Sequence, residues 1–313
     1  VSGSNRPGGT TPAVAPSMLD LVRLSPRLLF PPGGRDLYRQ IALLSDLGEG
    51  DEVLVVGSGN GVTLDYFVQE YGVHGSGVDF DEAMVAAATA RAREKEVAER
   101  LQFQEGPFDR LPYRDGIFDV AVGELGLTAH ADPKRAVEEL VRVTRPGGTV
   151  VAVQLAWKAP VEESRRRVLS GYLGVRPLML VEWKRIMREA GLERIHIEDW
   201  TDEQTAFRPR IVKPFPDFAE LFSLPEKIGI LRRAWGRWGW PGVKMALARE
   251  REVHELLTEE RILGLHLLKG VNGGATVDVA GGDPAGEDPP HEPGEPLPET
   301  RGLPLFGTEN PDG

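Results

Sequence analysis

Three glycines on alternate positions, Gly57, Gly59 and Gly61, close the stretch VLVVGSGNG, residues 53–61. That spacing suits a backbone that must turn sharply and let a ligand approach with no Cβ in the way. The four apolar residues before it, three of them Val, predict a strand covered on both faces. Behind it, VTLDYFVQEYG has Val62, Tyr66 and Phe67 at helical spacing, so the loop with Ser58 and Asn60 is expected to open a helix whose N–H groups face the ligand. Strand, loop and helix make a grip for a nucleotide or a nucleotide-like cofactor. A dinucleotide site would want Gly or Ala at position 62, where Val62 stands, and a P-loop would want a Gly-Lys-Ser/Thr ending. The plainer alternative is a tight turn that only packs the helix on the strand.

Other residues could carry chemistry near strand ends. Asp79 closes the predicted strand Val73–Phe80, where a carboxylate faces the cleft beside the glycine loop; its alternative is the N-cap of the next helix, for which Asp81 competes. Glu124 ends the apolar run IFDVAVGE, His130 lies in the following GLTAHADP, and His196 alternates with Ile195 and Ile197. These three are the candidate general bases, and each imidazole is also readable as a surface side chain. His254-Glu255 begins like a zinc helix, but position 258 is Thr, so no metal is expected. The chain has no cysteine, which excludes thiol chemistry and disulfides.

The elements that would position these residues alternate. An amphipathic helix through Leu37, Ile41, Leu43 and Leu44 precedes the first strand. A helix from Asp81 to Arg100, a short strand Leu101–Glu105, the strand ending at Glu124, a helix from Asp132 to Val143 with Pro133 in its first turn, and the strand TVVAVQLAW follow. Helices near Val161–Leu169 and Val181–Ala190, a strand around Ile195 and Ile197, and a last strand Ile262–Gly270 complete the series. Alternating strands and helices predict an α/β fold with a doubly wound, mostly parallel sheet.

The glycine loop, Asp79 after strand two, Gly-Pro-Phe-Asp (106–109) after strand three and RPGG (145–148) before strand five stand in an order that resembles the class I S-adenosylmethionine-dependent methyltransferases, in particular the small-molecule branch with quinone-ring methyltransferases. The resemblance covers about Asp51 to Trp200. It implies a Rossmann-like sheet of seven strands with a helical insertion, about 201–259, before the last strand. It also implies that residues 57–61 lie against the methionine half of S-adenosylmethionine, that Asp79 accepts from both ribose hydroxyls, and that Phe80, Pro107 and Phe108 border the adenine, with S-adenosylhomocysteine as product. Two positions depart from the family: Val55 stands where an acid is usual in the first strand, and Pro107 where an acid usually meets the adenine amine. Glu124 is the candidate to compensate, either as partner of the cofactor's ammonium or as base, with an edge carboxylate in water as the plainer alternative, and Asp109 could reach the adenine amine.

Composition bounds the rest. Residues 1–17 are rich in Gly, Pro, Ser and Thr and read as a flexible leader; 18–271 form the methyltransferase domain; 272–313 read as an acidic disordered tail. Net charge is −11, but the tail holds nine acids against Arg301, so the remainder is near neutral, which argues against nucleic acid as a partner. Without a signal-like N-terminus or a membrane-length apolar run, the expected location is the cytoplasm and the expected partner a small-molecule acceptor. Residues 227–251 interleave Lys227, Arg232, Arg233, Arg237, Lys244, Arg249 and Arg251 with Trp235, Trp238 and Trp240. This fits either a cap whose tryptophans pack inward or peripheral contact with a membrane. The rival to an enzyme is a methyltransferase-like binding or scaffold protein without catalysis, motivated by Val55 and Pro107.

Overall fold

The computed structural model describes residues 17, 20, 34–200, 224–254 and 262–274. They lie in the compact unit Val1–Thr276; Val277–Gly313 is a second unit outside the described residues. The expected leader, apart from Ser17, and residues 201–223 and 255–259 of the expected insertion also fall outside them.

Helix α1 (Gly34–Ser45) leads into β1 (Glu52–Val56), α2 (Val62–Tyr71), β2 (His74–Asp79), α3 (Glu82–Glu94), β3 (Leu101–Glu105) and β4 (Phe118–Gly123). The short α4 (Leu127–His130), α5 (Pro133–Val143), β5 (Thr144–Trp157), α6 (Glu163–Leu173), β6 (Leu178–Met179), α7 (Leu180–Glu189) and β7 (Leu192–Asp199) follow, then α8 (Leu224–His254) and β8 (Leu263–Asn272). The sheet runs β3-β2-β1-β4-β5-β8-β7, with the two-residue β6 beside β5. Pairs up to β4–β5 are parallel and β8 is antiparallel to both neighbours. This is the doubly wound, mostly parallel sheet expected, with α8 as helical insertion before the last strand.

The unbroken apolar run of β1 is explained by cover on both sides. Leu54 and Val56 pack in one core with Leu140 and Trp183, while Val53 and Val55 pack in the other with Tyr38, Leu64 and Phe67. The chain leaves β1 toward β2 and β3 and returns on its other side as β4, which puts a topological switch point between the C-terminal ends of β1 and β4. In open α/β sheets ligands bind at such a point.

Three boundaries differ from expectation for local reasons. Helix α3 stops at Glu94, not Arg100, because Glu96 takes φ 59° and the N–H groups of Glu96 and Val97 close back on Arg93 and Ala92. That is a Schellman cap built on a residue other than glycine. Strand β5 starts at Thr144, before RPGG and not after it, and the motif forms an irregularity in its pairing with β4, with Arg145 ion-paired to Asp119. Strand β8 runs on to Asn272, where composition placed the start of the tail; its Nδ2 donates to the carbonyls of Thr144 (2.7 Å) and Val141 (3.1 Å).

Candidate cofactor-binding site

All three loop glycines adopt left-handed backbone, with φ of 78° at Gly57, 51° at Gly59 and 80° at Gly61. Gly57 and Ser58 donate to the carbonyl of Val78, Gly61 to that of Ser58, and Gly59 to Asp79 Oδ2 at 2.9 Å. Four of the five loop N–H groups are therefore used inside the protein. A loop so satisfied does not itself cradle a phosphate. It presents its shape instead. A Cβ at Gly61 would come within 2.7 Å of the Phe103 ring and 3.1 Å of Ala88 Cβ, whereas one at Gly59 would meet nothing within 4 Å. Gly61→Ala is thus expected to cost about 2–4 kcal/mol, from left-handed strain plus overpacking. Gly59→Ala bears only the strain, about 1–2 kcal/mol. Urea unfolding of the two variants checks the difference, and equal midpoints would contradict it.

Asp79 is buried at the end of β2, and its carboxylate ties two segments together: Oδ2 accepts from Gly59 N and Oδ1 from Asp81 N at 3.0 Å. Asp81 is itself the N-cap of α3, accepting from Ala83 N. The alternative role for Asp79 therefore belongs to its neighbour. An ionised carboxylate has about four acceptor positions, so two directions on Asp79 remain for a ligand's donors.

Glu124 follows β4, and its N–H donates to the carbonyl of Val56, which extends the β1–β4 ladder by one step. Its backbone and Cβ lie 3.8 Å from where a Cβ at Gly57 would stand. The side chain is buried, and Oε1 has no hydrogen-bond partner. Burial pushes this carboxyl up from 4.5 to about 7; the Thr63 and Tyr38 hydroxyls pull the other way, and the Asp79 charge adds to the rise. Burial and then the Glu124 charge hold the Tyr38 phenol well above its usual value of 10.

The remaining expected residues are placed unevenly. Phe80 and Phe108 meet edge to face, centroids 5.8 Å apart at 69°, but Phe108 is 2% exposed, so Phe80 alone of the two offers surface. Pro107 is exposed and Asp109 half-buried. His130 ends α4, in the turn after Glu124, and its side chain lies outside the described residues. His196 is not brought to the site. It is exposed on β7 at the sheet's edge, 3.0 Å from Glu198. Three strand spacings, roughly 14 Å, separate β7 from β4.

Several contributors escaped the sequence reading. Tyr38 and Thr63 flank Glu124. Gln154, a lone polar residue in the buried run of β5, donates its amide to the carbonyls of Gly123 (3.0 Å) and Glu124 (2.8 Å), which fixes the end of β4. His266 is buried in β8, paired in register with Gln154 and Asp199, and burial lowers its pKa, which favours a neutral ring. A polar residue inside an otherwise apolar strand was the signal for Gln154 and for His266.

The site fits a cofactor with hydroxyls and a cation. A buried carboxylate with spare acceptor directions closes β2, and two buried polar atoms without partners, Ser58 Oγ and Glu124 Oε1, flank Gly57. Buried polar atoms are rarely left unsatisfied, and those that are call for a ligand or water.

Comparison with known proteins agrees. The family described as "Methyltransferase domain" matches residues 54–152. Norajmaline N-methyltransferase of Rauvolfia serpentina is 25% identical over 206 residues, 63% of this chain and 67% of that one. The demethylmenaquinone methyltransferase of Mycolicibacterium paratuberculosis is 34% identical over 125 residues, 39% of this chain and 50% of that one. Among solved structures, the [4+2]-cyclase SpnF superposes with a TM-score of 0.61 at 23% identity, covering 76% of this chain and 80% of that one, and so shares the fold. The match begins at Leu54 in β1 and ends at Ala152 in β5, and so spans the loop, Asp79 and Glu124. Residues 54–152 thus match a methyltransferase domain, and the class I S-adenosylmethionine-dependent methyltransferases are the family to which this part of the chain is similar.

Proposed function

We propose that this protein transfers the methyl group of S-adenosylmethionine to a small lipophilic or aromatic acceptor by in-line displacement, releasing S-adenosylhomocysteine. The observation that carries the reading is Asp79, a buried carboxylate tied to the glycine loop with acceptor directions to spare. Bound S-adenosylmethionine supplies an already activated methyl on a sulfonium, so the protein's part is alignment more than bond-making.

Asp79 is assigned to the ribose hydroxyls, Phe80 to the adenine face, and the 57–61 loop to the methionine half. Glu124 is assigned to the ammonium. It lies two residues beyond Val122, on the same side of the sheet as Val55, whose register partner is Val122. The acid missing from position 55 is thus replaced one strand over and one step nearer the cleft. Pairing with a cation would draw the carboxyl into its charged form and partner its orphaned oxygen. His130 remains the imidazole candidate for taking a proton from the acceptor, and His196 is set aside by its distance.

The names of norajmaline N-methyltransferase and demethylmenaquinone methyltransferase give those enzymes small-molecule acceptors, and that supports the same class here. A lipophilic acceptor and the basic α8 suit an enzyme that works at a lipid surface. The test is transfer of isotopically labelled methyl to a panel of phenols, hydroquinones and lipophilic amines. Labelled product from the wild type and none from Asp79→Ala is the expected result; cofactor binding without transfer to any of them would overturn the acceptor class.

A further inference from the structure

The tryptophans of α8 do not share one environment. Trp238 is half-buried, packed with Trp157, Leu173 and Ile230, and carries Arg237 over its ring at 5.3 Å. Trp235 and Trp240 instead stand 62% and 61% exposed. Ile230, Ala234 and Val243 are buried, so the helix is already anchored without them.

The exposed residues are ordered. Gly239, at φ 68° and ψ −165°, breaks α8 into two helical segments. The first carries Ile228, Arg232 and Trp235, the second Trp240, Lys244 and Leu247, all exposed and all at i, i+4, i+7 spacing. That spacing puts each trio on one helical face. Each trio reads apolar, basic, apolar. From Lys227 to Arg249 there are six basic residues and no acid, in a chain whose net charge is −11.

We propose that this outward face of α8 docks on an anionic lipid surface, with Trp235 and Trp240 inserted at the level of the headgroups and Arg232 and Lys244 paired with lipid phosphates. Charge and aromatic pattern select this occupant. A packed protein partner would desolvate the Arg232 and Lys244 cations that headgroups neutralise in place, and tryptophan favours the lipid–water boundary, where one end of the ring is apolar and the other wet. No described helix is long and apolar enough to cross a membrane, so the contact is peripheral. It brings the protein to where a lipophilic acceptor dissolves, but the docking itself does not depend on methyl transfer.

Flotation of the full chain with vesicles of phosphatidylcholine alone, and of phosphatidylcholine with a third phosphatidylglycerol, tests it. The wild type is expected to float with the anionic vesicles only and to be released by high salt. The double variant Trp235→Ala/Trp240→Ala is expected to bind on the order of tenfold more weakly, and Arg232→Glu/Lys244→Glu to lose binding. Unchanged far-ultraviolet dichroism and S-adenosylmethionine affinity would show that the variants are folded. Absence of wild-type flotation, equal flotation of the Trp variant, or a wild-type dimer in solution that the Trp variant dissociates would each overturn the proposal. Cofactor affinity reports on the methyltransferase reading separately.

Discussion

Asp79→Ala is expected to weaken S-adenosylmethionine binding by about 100- to 10,000-fold, because two charge-assisted hydrogen bonds to hydroxyls are lost, at about 1.5–3 kcal/mol each. The variant also leaves Gly59 N and Asp81 N without their acceptor, so the loop loses its tie to β2. Asp79→Asn separates the two effects. It keeps the volume and one acceptor oxygen but not the charge, and an intermediate loss of about tenfold to a hundredfold is expected. Calorimetric titration of the three proteins gives the comparison directly. Affinity within a factor of about two of wild type in Asp79→Ala would mean that the carboxylate serves only the loop.

Glu124→Gln should move stability and binding in opposite directions. The folded pKa of Glu124 is raised from 4.5 to about 7. Between those values the folded protein holds a proton that the unfolded chain has released, so the protein loses stability as pH rises through the window. Above pH 7 the full cost of keeping the buried charge is present, about 3 kcal/mol for a shift of this size. Glutamine removes that cost. The unliganded variant is therefore expected to be more stable than wild type by about 1–3 kcal/mol at pH 8, with the difference fading toward pH 4.5. The same variant should bind S-adenosylmethionine about tenfold more weakly at pH 8. In the wild type, affinity should rise between pH 5 and 7, as deprotonation supplies the charge that meets the ammonium. The groups that face this carboxyl are Tyr38 from α1, Thr63 from α2 and Asp79 from β2, and the two hydroxyls stay un-ionised in this range. A variant destabilised at pH 8, or one with unaltered affinity, would contradict the role assigned.

Much of this was legible in the chain because backbone demands and residue types coincide there. Only glycine takes φ near +80° cheaply, so Gly57 and Gly61 announce their own geometry. Asp132 with Pro133, and Gly191 after α7, mark helix ends by the same logic and are found there. Where geometry and residue type part company the sequence is silent. Glu96 takes a left-handed cap with a side chain that ordinarily avoids it, so the end of α3 was misplaced. Tyr38 looks like any apolar-face residue of an amphipathic helix. Its place beside Glu124 is set by how α1 lies on α2 and β4, a tertiary contact with no local trace. His196 failed for the opposite reason: its alternation within a strand was read correctly, but the order of strands, not the pattern within one, puts β7 at the edge.

The loop, Asp79 and Glu124 are expected to form a working site for S-adenosylmethionine although Val55 stands where an acid is usual. Isothermal titration of the wild-type chain with S-adenosylmethionine at pH 7.5 tests that most directly. Saturable binding at one site per chain, lost in Asp79→Ala, is the expected result. No saturable heat at any soluble cofactor concentration, from a chain that is folded by dichroism, would contradict it.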